Sequence, residues 1–314
     1  MIDLHCDVLY QLSQADGDMR FRDDPRLQAN LERLQIAGVN LQFFAIFVDP
    51  SVPDEKKFLE ALRQVEFFHT HVLAPNPEMV FITDWKQISL LQEDQIGAVL
   101  TLEGCDAIGT DIGKLSALLQ AGVKLVGLTW NFENAVGFGA LEDPSKGLTP
   151  FGNEVLHLLN EKEIIVDVSH LNEAGFWDVI SQANHIIASH SNARVLCDHP
   201  RNLTDEQLLA LSRSGGHIHL VFYPLFTNDQ SETVTQDDLV NHARYIVSLI
   251  GVDKIGLGSD FDGITIFIEG LENASDTPSF IAKLQEVFST EEVKAICEAN
   301  FLQYLDTHFL ENQR

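Results

Sequence analysis

Apolar residues in this chain gather into eight runs bounded by turn residues, each followed by a polar or amphipathic stretch long enough for a helix. The runs predict strands at 2–7, 39–48, 96–103, 124–131, 164–170, 185–190, 216–222 and 254–260. Most are continuously apolar and do not alternate, which is the pattern of parallel strands covered on both faces. Helices are predicted at 54–73, 111–121, 151–161, 172–183, 205–213 and 236–250, with Asn172 and Thr204 as N-caps and Gly122 and Gly251 at helix ends. Eight strand-helix repeats with right-handed crossovers close naturally into a (β/α)8 TIM barrel, an α/β fold; an open doubly wound sheet is the alternative. Extra C-terminal helices, from about Thr277 to the end, are expected on the outside or floor of the barrel, and residues 1–314 read as one domain. Long loops rich in Gly, Pro and charge at 8–25, 132–146 and 223–236 rise from the face that carries active sites in such barrels, and are the expected lids and walls.

The residues that finish the runs carry the chemistry. His5 and Asp7 lie two apart on a strand, so their side chains share a face. A lone His-x-Asp is more often a buried histidine with a hydrogen-bond partner. Here the same ending recurs: Glu103 after the third run, His170 after the fifth, His190 after the sixth, Asp260 after the eighth. Three imidazoles and three carboxylates on one rim suit a pair of divalent first-row metals, zinc first among them, with Glu103 bridging. One ion would take His5, Asp7 and Glu103, the other Glu103, His170 and His190. Asp260 then serves as proton shuttle and not as a further ligand. Asp3 reads as a supporting acceptor behind His5, and Asp262 is a rival to Asp260 placed farther from the strand end. His217 and His219 form a competing His-x-His pair, but they stand early in the seventh run and so low in the barrel. His69 and His71, two apart on a helix, point to nearly opposite sides and cannot chelate together.

Composition narrows the setting. At 45% hydrophobic and 21% charged the chain is globular, and no apolar stretch is long enough for a membrane helix. The start shows no signal-peptide pattern, so a cytoplasmic location is expected. Cys6, Cys105, Cys197 and Cys297 form no Cys-x-x-Cys pair and are expected as free thiols. A net charge of -27 should repel nucleic acid and anionic membranes. An anionic substrate group would therefore need a dedicated local cation.

These motifs, in order over about the first 265 residues, resemble the membrane dipeptidase (renal dipeptidase) family of zinc metallopeptidases in the amidohydrolase superfamily. Asp3-Leu4-His5-Cys6-Asp7 resembles its opening motif, Glu103-Gly104 its bridging glutamate, and Asp167-Val168-Ser169-His170 with Ser189-His190-Ser191 its histidine motifs. His199-Pro200-Arg201-Asn202 resembles its substrate-arginine motif and Ser259-Asp260-Phe261-Asp262-Gly263 its eighth-strand signature. The resemblance implies hydrolysis of small dipeptides by two zinc ions, with tolerance of a D-residue at the C-terminal position. It implies Glu103 and Asp260 as catalytic groups and Arg201 as the holder of the substrate carboxylate, with Trp130, Tyr223 and Gly263 also at the substrate. One departure is that Trp130 stands where many members carry a histidine that steadies the oxyanion. Trp130 is expected to wall the pocket, with its own N–H, Asn131 or Asn134, or the metals alone covering the oxyanion.

The expected partners are a dipeptide and, as a possible assembly, a second copy in a homodimer, without nucleic acid or membrane. Another amidohydrolase-type reaction on an amide, lactone or phosphoester is the rival within the same fold; a non-catalytic binding barrel is the rival from outside catalysis.

Overall fold

The computed structural model describes residues 1–310. Its parallel strands are β1 (Ile2–Asp3), β2 (Leu41–Phe47), β3 (Met79–Phe81), β4 (Ile96–Glu103), β5 (Val123–Gly127), β6 (Ile165–Asp167), β7 (Ile186–Ala188), β8 (His217–Leu220) and β9 (Ile255–Leu257). Neighbours follow the order β1-β2-β4-β5-β6-β7-β8-β9, while β3 lies off this path on β4. The ring closes where Leu4 N donates to Leu257 O at 3.1 Å and Asp260 N to His5 O at 3.2 Å. Eight strands on a closed path make the (β/α)8 barrel, and an open sheet is ruled out.

The helices are α1 (Val8–Gln14), α2 (Leu31–Ala37), α3 (Asp54–Phe67), α4 (Ile112–Gln120), α5 (Pro150–Glu161), α6 (Glu173–Gln182), α7 (Asp205–Arg213), α8 (Gln236–Ile250), α9 (Thr277–Gln285), α10 (Thr290–Lys294) and α11 (Asn300–Leu305). Asn172 caps α6 and Thr204 caps α7 through bonds to Gly175 N and Gln207 N, as their sequence positions predict. None of the described helices is long and apolar enough to cross a membrane. All four cysteines are free and buried.

Two layers of apolar residues flank the ladder. Every residue of β2 is buried, since one face meets the helices and the other the barrel interior. The interior is filled by Leu4, Phe43, Val99, Leu125, Ile165 and Ile187, and it is stoppered from below by Phe301, Tyr304, Leu305 and Phe309. Each such large apolar side chain contributes about 1.5–3 kcal/mol. The extra C-terminal helices thus close the floor, as expected; the last four residues of that expectation, 311–314, fall outside the described chain.

The differences from the sequence expectation lie at element ends. Most ladders stop earlier than the apolar runs do, so β1 holds two residues and β6 and β7 three each. The remainder of each run is irregular backbone that leaves the ladder to enter the site. The stretch at 8–25 opens with α1, whose Val8, Leu9 and Leu12 are buried at helical spacing. The predicted helix at 54–73 runs as α-helix to Phe67 and then widens into a π-helical turn over Phe68–Leu73. The short β3 and α2 were not anticipated.

Candidate active site

All six predicted residues converge on the C-terminal rim. Glu103 ends β4, where register places it beside Phe47 of β2 and Gly127 of β5. Its two oxygens face different partners: Oε2 lies 3.6 Å from His5 Nε2, and Oε1 lies 2.9 Å from His170 Nε2 and 3.6 Å from His190 Nε2. Asp7 Oδ2 is 3.3 Å and Asp260 Oδ1 3.6 Å from His5 Nε2. Three ligand sets with donor atoms within 4.8 Å of one another emerge: His5, Asp7 and Glu103; Glu103, His170 and His190; and His5, His190 and Asp260. The first two are the sets expected from sequence.

The motif serines and aspartates build the scaffold behind these groups. Asp167 Oδ1 accepts from Ser169 N and Ser189 N, both at 2.9 Å, and Oδ2 accepts from the Ser189 hydroxyl. Ser189 Oγ, its proton given to Asp167, then accepts from His190 Nδ1 at 2.7 Å. Asp3 does the same across the closing strands, accepting from Ser259 N at 2.8 Å and Ser259 Oγ at 2.7 Å. It supports the site without reaching into it. Asp262 is likewise spent, taking Gln28 N at 2.7 Å and Ala29 N at 2.9 Å, which leaves Asp260 as the carboxylate facing the cluster. His170, Asp260 and Asp262 hold φ between 67 and 70°. Left-handed backbone costs a non-glycine residue about 1–2 kcal/mol, so strain is concentrated where side chains are aimed.

The clustered carboxylates and imidazoles shift one another's protonation. Burial lifts Asp7 to about 6, with the Glu103 charge adding to it. Burial also lifts Asp260 well above the usual aspartate range, opposed by His5 and reinforced by Asp7 and Glu103. Burial resists ionisation of Glu103 too, but His5 and His170 hold it below the ordinary glutamate range. For His5 burial is overcome by Glu103 and Asp7, which push it well up; burial takes His170 down to about 3 and His190 well below its usual value. A proton on His5 thus does weakly what a divalent ion would do strongly.

The donor set fits such ions on geometry as well. His5 Nε2 and Asp7 Oδ1 are buried without a hydrogen-bond partner. His170 Nε2 and His190 Nε2 stand 2.8 Å apart, and Ser189 already takes the His190 Nδ1 proton. Converging lone pairs at that distance need a shared proton or a cation between them. Mixed imidazole and carboxylate ligands suit zinc and related first-row metals.

Above the cluster is a cleft of about 280 Å³ lined by Asp7, Tyr10, Phe47, Glu103, Trp130, Asn131, His170, Tyr223, Phe226, Asp260 and Gly263, among others. That lies near the lower end of the roughly 300–1,000 Å³ typical of small-molecule sites. A larger groove of about 820 Å³ lies at the barrel floor between Trp85, Leu91, Leu302 and Leu310. It holds none of the converging ligands, so chemistry and not size identifies the site. Gly263 is required where it stands, because a Cβ there would come within 2.2 Å of Asp7 Oδ2 and 2.7 Å of Asp260 Oδ1. Trp130 packs between Phe47 and Phe132, with ring centroids 5.3 and 5.4 Å away. Asn134 gives its amide to Asp106 and to Leu128 O, which spends it on the loop. Arg201 is buried, with Nη2 on His190 O at 3.2 Å, Phe226 5.3 Å away under its guanidinium, and Nε and Nη1 unpartnered. Burial brings it down to about 10, against the pull of Asp260 and Glu103.

His217 and His219 lie at the floor beside Tyr304 and Phe301, at ring distances of 5.1 and 5.8 Å, remote from the cluster. Tyr10, Phe47 and Phe226 line the cleft without having been singled out from sequence. Phe47 is the last residue of β2, level with Glu103; Tyr10 lies in a stretch that the sequence predicts as loop.

A pH dependence follows from these shifts. Asp7 and His5 are both raised, so what they add to the stability of the ion-free protein is complete at low pH and fades as pH rises, for Asp7 through about 6. A divalent ion held by these ligands would displace those protons, so its stabilisation would grow over the same window. At a hundredfold excess over Kd one ion is worth about 2.7 kcal/mol. Melting temperatures with zinc and with chelator, compared at about pH 5 and about pH 7.5, should show the larger zinc effect at the higher pH; an equal effect at both would contradict this ligand set.

Comparison with known proteins agrees with the geometry. The family model "Membrane dipeptidase (Peptidase family M19)" matches residues 1–313. Dipeptidase tcpJ of Claviceps purpurea is 33% identical over 317 residues, covering 96% of this chain and 74% of the relative. The crystal structure of a metallo peptidase called dipeptidase AC superposes with a TM-score of 0.92 at 25% identity, over 98% of both chains. A metallo peptidase of Rhodobacter sphaeroides, solved with a phosphinate mimic of the dipeptide L-Ala-D-Ala, gives 0.91 at 24% identity, over 98% of this chain and 99% of that one. The chain belongs to the membrane dipeptidase family, peptidase family M19, and is a metal-dependent hydrolase of the dipeptidase class.

Proposed function

We propose that this barrel hydrolyses the peptide bond of small dipeptides with two zinc ions, one held by His5, Asp7 and Glu103 and the other by Glu103, His170 and His190. The observation that carries the substrate assignment is Arg201. A guanidinium buried to 2% exposure, with one bond from Nη2 to His190 O and with Nε and Nη1 unpartnered, has given up more hydration than it recovers in bonds, which is costly unless a ligand supplies the rest. A carboxylate matches its planar fork. Beside a site that cleaves amides, a carboxylate held by Arg201, whose Nη2 already reaches His190 O, describes the C-terminus of a dipeptide, and the small cleft leaves little room for more. A neutral ester or lactone would give Arg201 no partner. The L-Ala-D-Ala mimic in the Rhodobacter sphaeroides protein supports tolerance of a D-residue at the C-terminal position.

When bound, the ions supply an activated water and polarise the scissile carbonyl. The chain's own groups do the rest. Arg201 fixes the carboxylate, Trp130, Phe47 and Tyr223 enclose the side chains, and Glu103 holds the two ligand sets in register. Asp260 accepts the proton released as water attacks and returns it to the leaving amine. Burial raises its affinity for a proton, which favours uptake of the proton released as water attacks.

On a panel of L,L and L,D dipeptides, Arg201→Ala should lose about 2–5 kcal/mol in kcat/KM, the range for one partner of a buried charge pair. C-terminally amidated analogues should be poor for the wild type and little affected by the change; equal losses on acid and amide would make Arg201 structural. Asp260→Asn should keep zinc and substrate binding while kcat falls by about 100-fold or more, within the reach of general acid–base catalysis. Loss of zinc from that variant would instead make Asp260 a ligand.

A further inference from the structure

The loop that follows β5 does more than wall the cleft. Asn131 Oδ1 lies 2.8 Å from His170 Nδ1. An amide oxygen can only accept, so this contact places the imidazole proton on Nδ1 and leaves Nε2 as a lone pair. Nε2 is the atom that faces Glu103 Oε1 and His190 Nε2. A competing arrangement is available to the same ring, because Glu103 Oε1 at 2.9 Å could accept a proton held on Nε2. That second tautomer has no lone pair to offer a cation on the cluster side.

The backbone braces the asparagine against His170 from several directions. Leu141 N donates to Asn131 O at 3.1 Å, and Ala140 N donates to His170 O at 2.7 Å. Gly139 forms an antiparallel bridge with Leu171, and Asn172 N reaches Phe138 O at 3.1 Å. The brace depends on Gly139 having no side chain. A Cβ there would come within 2.2 Å of both the Asn131 carbonyl carbon and the Trp130 carbonyl oxygen, and neither backbone atom can give way cheaply. His170 itself sits at φ 67°, so its ring is aimed from both sides, by strained backbone below and by Asn131 at the far nitrogen.

From this geometry we infer that Asn131 is a positioning residue: it holds His170 in the Nδ1–H tautomer, with Gly139 fixing the approach, so that Nε2 is free to bind the ion shared with Glu103 and His190. Asn131 thus acts through His170, with its Oδ1 given to the ring. The inference rests on the reading of Glu103, His170 and His190 as an ion site. Loss of a bond to the far nitrogen of a metal-binding histidine typically costs 10- to 100-fold in metal affinity.

The test is zinc binding to the full chain, by competition with a chromophoric chelator, together with histidine tautomers read from long-range 15N correlation spectra of the ion-free protein. His170 should carry its proton on Nδ1 in the wild type and on Nε2 in Asn131→Ala. That variant should bind one zinc about 10- to 100-fold more weakly and leave the other nearly unchanged. Asn131→Asp, which can only accept, should restore wild-type affinity or exceed it, whereas an asparagine that used its NH2 toward Nδ1 would make the aspartate variant weaker than wild type and overturn the inference. Gly139→Ala should reproduce the alanine phenotype in a chain whose circular dichroism matches wild type. Unchanged zinc affinity in Asn131→Ala, or a wild-type Nε2–H tautomer, also overturns it. A wild type that binds no zinc would instead defeat the ion-site reading beneath it.

Discussion

Glu103 sits between two groups of ligands that could not otherwise share a site. Its Oε2 faces His5 and its Oε1 faces His170 and His190, while Asp7 and Asp260 crowd the same space from the closing strands. Two buried carboxylates and the part-buried Asp260 so close repel one another by several kcal/mol at any effective dielectric suited to a protein interior. One protonated imidazole offsets only part of that. The rim is therefore suited to hold added positive charge, and the two oxygens of Glu103 face two separate positions for it.

The barrel is what makes such a concentration of charge tolerable. Strands packed on both faces and stoppered from below by Phe301, Tyr304, Leu305 and Phe309 give a rigid ring from which short irregular segments carry the ligands inward. Behind three of the rim groups stands a hydrogen-bonded anchor: Asp167 through Ser189 for His190, Asn131 for His170, and Asp3 through Ser259 for the segment holding Asp260. The repeated serine in these motifs is thereby explained. It can accept from one neighbour and donate to another, which neither an aspartate nor an alanine could do in its place.

Much of this could be read from the sequence because the barrel turns a one-dimensional regularity into a three-dimensional one. A polar residue that ends a buried apolar run has to emerge on the same rim as the others, so His5, Glu103, His170, His190 and Asp260 were identifiable by position alone. What could not be read depends on which segment folds against which. The left-handed backbone at His170 and Asp260, and the early end of the ladders before them, come from nonlocal packing that periodicity does not encode. The acceptor role of Asn131 toward His170 depends on a loop closing through Gly139. Tyr10 fell in a stretch judged to be loop, although Val8, Leu9 and Leu12 carried its helical spacing. Phe47 is apolar like the rest of its run, and only its register beside Glu103 makes it part of the cleft.

Anomalous X-ray scattering from crystals grown with zinc tests the central claim most directly. Data above and below the zinc edge should reveal two ions about 3.5–4 Å apart, the usual spacing of paired catalytic metals, with Glu103 between them, His5 and Asp7 on one, and His170 and His190 on the other. A single ion, or two ions of which Glu103 touches only one, would contradict the account.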